Sequence, residues 1–177
     1  TGRLPAMLPS QVAAYLNKVI EAESAPYDAL WRKKILHLSG GIESWEPSLF
    51  KQYLQDFQKI AEAPFLGGQV EAIAKQSREI QTINIAEQVN SGLGLVTFFG
   101  HSSTSTLDFD IGYVTNKLMG YSNKGKYPML LMNGCEVGAF FLRATLFGED
   151  WILADQLGAS GFIGHNAYAS VNNLYRY

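Results

Sequence analysis

Residues 93–103 read LGLVTFFGHSS. Leu93–Phe99 is apolar almost without interruption, and it lacks the polar alternation of a half-solvated strand. Strands of this kind are buried on both faces, as in the middle of a parallel sheet. The run ends at Gly100, and His101 follows at once. In open α/β sheets, ligands sit beyond the carboxyl ends of the strands. An imidazole delivered at such an end therefore bears on both the fold and the chemistry.

Two further runs have the same form. Tyr127–Met132 (YPMLLM) leads into Asn133-Gly134-Cys135, and Ala159–Ile163 (ASGFI) leads into Gly164-His165-Asn166. A shorter run, Lys34–Leu38 (KILHL), meets Ser39-Gly40-Gly41. Gln69–Ala74, after the Gly67-Gly68 turn, reads as a further strand.

Helical patterns lie between these runs. After Pro9-Ser10, residues Val12, Tyr15, Leu16, Val19 and Ile20 fall on one face at helical spacing, and Pro26 follows. Glu46–Ala63 carries a stripe of Leu49, Phe50, Tyr53, Leu54, Phe57 and Ile60, with Pro47 suited to a first turn. Ile83–Asn90, closed by Gly92, and Gly148–Leu157 read as shorter helices. Ser122–Lys126 is a polar loop. Alternating strands and helices predict an α/β fold with a mainly parallel sheet and helices on both faces.

The 177 residues show no internal repeat or linker, so a single domain is expected over 1–177. Charged residues make up 17%, against about a quarter in ordinary domains. With a net charge of −2 and no basic block longer than Arg32-Lys33-Lys34, nucleic acid is not an expected partner. No apolar run approaches the roughly 20 residues of a membrane helix. The abrupt ends at Thr1 and Tyr177 read as those of a piece of a longer chain.

Cys135 is the sole cysteine, which rules out an intrachain disulfide. A lone thiol is more often a buried core group than a nucleophile. Its placement after Asn-Gly at a strand end argues for the nucleophile. A thiolate is the working nucleophile, and a nearby imidazole can generate it. His101, at the tip of another strand, is the candidate base. Backbone N–H groups of Ser102 and Cys135 are candidate donors to the oxyanion. His165 reads as a structural or cleft residue, and His37, inside an apolar strand, as a core histidine. Glu149 suits the first turn of a helix. Asp108 and Asp110, among serine and threonine hydroxyls, offer oxygen ligands of the kind calcium takes. The hydroxyls of 102–106 lack the GxSxG elbow of a serine hydrolase.

These motifs resemble the gingipain-type cysteine peptidases. Gly100-His101 is similar to that family's histidine strand end. Asn133-Gly134-Cys135-Glu136-Val137-Gly138-Ala139-Phe140-Phe141 resembles its nucleophile segment. Phe147-Gly148-Glu149 resembles its Phe-x-Glu helix start, Gly158–Gly164 its next strand, and Gly2-Arg3-Leu4-Pro5 the opening of its catalytic subdomain. Ser102 stands where the family usually has Gly. Leu107-Asp108-Phe109 stands where a Trp is usual. The family's acid near the strand ending at Ser39-Gly40-Gly41 would correspond to Glu43.

The resemblance implies a caspase-like three-layer sandwich and a peptidase subdomain with catalytic Cys135, His101 and Glu43. It implies no required cofactor and allows a structural calcium. A protein or peptide substrate is expected, at the cell surface or outside the cell, and a type IX secretion sortase-like member would fit. Two rival readings remain at this point. One is an inactive peptidase-like scaffold of a secretion or adhesion system, motivated by Ser102 and the loosely placed acid. The other is a hydrolase acting on a different amide with the same dyad. Specificity for a basic side chain would need an acid in the cleft, and Asp108, Asp110, Glu136 and Asp155 are the candidates.

Overall fold

The computed structural model describes residues 2–141 and 146–176. Its elements in chain order are α1 (Pro9–Glu23), β1 (Lys34–Ser39), α2 (Glu46–Ala61), β2 (Gln69–Ala74), β3 (Gln81–Thr82), α3 (Ala86–Ser91), β4 (Leu95–Phe99), β5 (Phe109–Asp110), β6 (Met129–Asn133), α4 (Phe147–Leu153), β7 (Gly161–Gly164) and α5 (Val171–Arg176). Five strands form one sheet in the order β2-β1-β4-β6-β7, and every pairing in it is parallel. A minor parallel pair joins β3 to β5. The expected α/β class and parallel sheet are therefore present.

The two faces of the sheet are covered differently. Leu36 and Leu38 of β1, Val96 and Phe98 of β4, and Leu130 and Met132 of β6 enter one large core with Ile85, Val89, Phe147 and Trp151. The opposite face lies under α2, whose Phe50 and Leu54 pack on Phe99 and on Leu174 of α5. Burying a large apolar side chain stabilises by about 1.5–3 kcal/mol. That is why β4, apolar on both faces, occupies the middle of the sheet.

His37 is only 2% exposed, on the α2 face beside Thr97. It is a core histidine as expected, but among the described residues neither ring nitrogen has a hydrogen-bond partner. Burial depresses its pKa from 6.5 to about 4, so the ring is neutral at ordinary pH.

Of the apolar face expected on α1, Tyr15 packs on the large core, but most of the rest does not dock. Val12, Leu16 and Ile20 are 50%, 55% and 51% exposed, whereas Lys18 is 1% exposed. Lys18 Nζ donates to the carbonyls of Leu157 at 2.9 Å, Ala159 at 3.2 Å and Trp151 at 3.4 Å. Tyr15 Oη donates to Ser160 O at 2.8 Å. The helix is thus held by carbonyls left open around the end of α4, an attraction that periodicity of apolar residues does not report.

Candidate active site

The site follows from the register of β4 and β6. These neighbours are parallel, with Phe99 opposite Asn133, and Gly100 N donates to Asn133 O at 3.1 Å. His101 and Cys135 each follow that paired position by two residues. The two side chains therefore leave adjacent strand tips at the same level, which is the crevice side of an open α/β sheet.

Glu46, at the start of α2, completes one half of the site. Its Oε2 lies 2.9 Å from His101 Nε2 and accepts the N–H groups of Ile42 and Glu43, each at 2.8 Å. The carboxylate side chain is 4% exposed and the imidazole 42% exposed, so the acid is hidden and the ring remains open. Burial alone would raise the Glu46 pKa. The N–H groups of Glu43 and Ile42 and the His101 ring more than offset this and hold it below the ordinary carboxylate value. The N-terminus of a helix also favours negative charge.

Glu43, expected as the acid from the resemblance, is not the carboxylate on His101. Its side chain is 61% exposed and lies 3.6 Å from Arg78. The turn between β1 and α2 explains the exchange. Gly41 adopts φ +128°, and a Cβ there would lie 2.9 Å from Pro47 N. The chain doubles back through this glycine, so residue 46 and not residue 43 faces the tip of β4. An acid beside Pro at a helix start was the available sequence signal.

Cys135 is half-buried. Ala169 N donates to its sulfur at 3.5 Å, and the sulfur lies 3.6 Å from Ala169 O. Two backbone bonds tie the nucleophile segment to the chain that leaves β7: Glu136 N to Ala167 O at 3.1 Å and Gly138 N to His165 O at 2.8 Å. Glu136, at φ +54°, takes the left-handed conformation that L side chains rarely adopt. The chain thus turns sharply just after the thiol. Ser102 Oγ donates to Cys135 O at 2.6 Å, and a Cβ on Gly134 would fall 2.2 Å from that hydroxyl. Ser102 is accommodated there because position 134 has no side chain.

Asp108 lies beneath the histidine. Its Oδ1 accepts His101 N at 3.0 Å, and its Oδ2 accepts Gly41 N at 2.6 Å and Lys75 Nζ at 3.0 Å. Asp110 is held by Gly112 N at 3.1 Å, and burial raises its pKa. Asp108 does not fit a calcium ion, because the Lys75 ammonium already occupies the cation position against it. Among the described residues, no group of three or more His, Cys, Asp and Glu is placed to hold a metal. Asp108 is 3% exposed and ion-paired, which also removes it as a cleft acid.

Asp155, a candidate cleft acid, is exposed just beyond α4, and the other acidic residues near the site serve the scaffold or flank it. Asp150 accepts Thr115 N and Oγ1 at 3.1 and 2.5 Å. Glu149, its pKa raised by burial, lines a cavity of about 490 Å³ with Arg3, Val137, Gly138 and Phe162, behind the nucleophile segment. No helix among the described residues is long and apolar enough to cross a membrane.

A parallel α/β sandwich that presents one thiol and one acid-paired imidazole on neighbouring strand tips defines a caspase-like fold with a cysteine–histidine site. The model of peptidase family C25 matches residues 1–177, and the chain belongs to that family. Lys-gingipain HG66 of Porphyromonas gingivalis is 22% identical over 179 residues, which cover 93% of this chain and 9% of that protein. The crystal structure of the Arg-specific cysteine proteinase gingipain R (RgpB) is similar at a TM-score of 0.73 and 15% identity, over 96% of this chain and 40% of that one. The complex of Porphyromonas gingivalis RgpB pro- and mature domains is similar at 0.77 and 16% identity, over 99% and 42%. The chain thus spans under half the length of these solved relatives and about a tenth of the curated one.

Proposed function

We propose that this chain carries the catalytic centre of a cysteine endopeptidase, with Cys135 as nucleophile, His101 as base and Glu46 as the acid that orients the base. The observation that carries this reading is the His101–Glu46 pair on the tip of β4, next to Cys135 on the tip of β6. With Nε2–H donated to Glu46, Nδ1 is the nitrogen left to accept a proton. That tautomer is assigned from the hydrogen bond.

The Cys135 thiol gives its proton to His101 Nδ1, and the thiolate attacks the scissile carbonyl carbon. The carbonyl π pair moves to oxygen, where the N–H groups of Ser102 and Cys135 donate to it. The geometry around Ser102 favours this. Ser103 N bonds Thr106 O and Asp108 N bonds His101 O, so in the Ser102–Leu107 bridge the flanking residues make the bonds. The N–H of Ser102 itself therefore points away from Leu107, toward the β6 side. Collapse of the intermediate breaks the C–N bond, and His101 returns its proton to the leaving amine. Water then adds to the thioester carbon, giving a proton to Nδ1, and collapse of that adduct breaks the C–S bond, releases the acid product and returns the proton from His101 to the Cys135 sulfur. An amine in place of water would give the transfer reaction of a sortase. Glu46 stabilises the imidazolium in each half-reaction.

No cofactor enters these steps. The expected substrate is a protein or peptide met at the cell surface or outside the cell, as the gingipain likeness suggests. Peptide cleavage by the full-length protein and by its Cys135→Ala variant tests the reading. Equal cleavage by the two would remove the thiol from the mechanism.

A further inference from the structure

Lys75 and Asp108 form an ion pair whose side chains are 0% and 2% exposed, close to the catalytic histidine but not touching its ring nitrogens. Apolar residues of similar size would often serve stability as well as a buried ion pair, so stability alone does not explain such a pair. Its connections suggest another role. Asp108 holds His101 on both sides of its backbone: Oδ1 accepts His101 N at 3.0 Å, and Asp108 N donates to His101 O at 2.8 Å. The other carboxylate oxygen accepts Gly41 N at 2.6 Å, and Lys75 Nζ donates to Gly41 O at 3.1 Å. Lys75 N also donates to Ser39 O at 2.8 Å. One charged pair thus joins the tip of β4, the end of β1 and the turn that delivers Glu46.

The sequence leaves room for this carboxylate. A Cβ on Gly40 would lie 2.2 Å from Asp108 Oδ1, and one on Gly100 2.4 Å from the same atom. Two strand tips therefore lack side chains at the point where the carboxylate sits. Apart from Lys75 Nζ, its partners are backbone N–H groups of the segments carrying His101 and Glu46, so it fixes their separation and the direction of the imidazole.

We propose that the Lys75–Asp108 pair is a positioning device that sets His101 against Glu46 and toward Cys135. The proposal rests on the cysteine-peptidase reading given above. Misplacing a catalytic group by about 1 Å can cost on the order of a hundredfold in rate.

The test uses the full-length protein with Lys75→Met/Asp108→Asn, which removes both charges together, and the conservative Lys75→Arg. Four quantities are read: melting temperature, kcat and KM on a peptide, the rate of Cys135 alkylation by iodoacetamide, and the His101 tautomer by nitrogen NMR. The double variant is expected to fold, to keep KM within about twofold and to lose about tenfold to a hundredfold in kcat and in alkylation rate. Its imidazole signals should show mixed tautomers in place of one. Lys75→Arg should recover most of the loss. A folded double variant with kcat, alkylation and tautomer unchanged overturns the proposal, as does failure of both variants to fold, which would make the pair structural only. Alkylation and tautomer need no peptide cleavage, so failure of the peptidase reading is seen separately.

Discussion

Nε2 of His101 lies 2.9 Å from Oε2 of Glu46, and that oxygen also accepts two backbone N–H groups from the turn before α2. The carboxylate is therefore fixed before the imidazole meets it, and the ring inherits that orientation. Glu46→Gln keeps the acceptor and removes the charge. It should lower kcat by about tenfold, and Glu46→Ala by about a hundredfold, with KM little changed. Glu43→Gln should leave both constants near those of the parent. Steady-state kinetics on one peptide substrate checks all three variants.

The Glu46 carboxyl is held below its ordinary value, so it stays ionised through the neutral range. A depressed carboxylate contributes stability that is present above its unfolded pKa and is lost as pH falls through the folded one. The Glu46 contribution should persist at mildly acid pH and disappear only in stronger acid. Denaturation of parent and Glu46→Gln across pH should converge at the acid end and separate above it.

Ser102 and Gly134 should be coupled. A Cβ at position 134 would meet the Ser102 hydroxyl at 2.2 Å and its Cβ at 2.9 Å, while the nearest backbone atom, Gly100 O, is at 3.3 Å. Gly134→Ala alone should destabilise and suppress activity, and adding Ser102→Gly should restore most of both. A double-mutant cycle from denaturant melts is expected to return a coupling of about 1–3 kcal/mol. Additive effects would place the obstruction elsewhere.

His37 gives the fold an acid-sensitive point. Its folded pKa of about 4 lies below the ordinary 6.5, so the unfolded chain binds the extra proton between these values. Stability should be complete above pH 6.5 and fall by about 3 kcal/mol as pH drops toward 4. His37→Leu should flatten that limb, relative to the parent, in melts taken across this interval.

Much of this was legible in the sequence, for identifiable reasons. LGLVTFF and YPMLLM are apolar on both faces, and such runs belong inside a parallel sheet, whereas ASGFI, expected as a third buried strand, pairs with β6 alone and forms the edge strand β7. Because parallel strands share a direction, their C-terminal tips share an edge. The histidine and cysteine that ended them were thus brought to neighbouring tips. The acid was not legible, because its position depends on how Gly41 turns the chain, and spacing carries no dihedral angle. The Lys75–Asp108 pairing was hidden for a similar reason: Asp108 reads as a candidate calcium ligand or cleft acid, and Lys75 as an ordinary polar residue, until the β1, β2 and β4 ends close around them. On α1, Lys18 and Tyr15, rather than Val12, Leu16 and Ile20, hold the helix to the protein, since their partners are backbone carbonyls.

The central claim is that Cys135 acts as a nucleophile activated by His101. Its most direct test is the rate of alkylation of the full-length protein by a peptide-based, active-site-directed thiol reagent, for the parent and for His101→Ala. The account predicts rapid labelling at Cys135 in the parent, loss of peptide cleavage in step with labelling, and a labelling rate slower by about a hundredfold or more without the imidazole. A Cys135 that reacts no faster than a free thiol, and equally with or without His101, would contradict it and leave a peptidase-like scaffold.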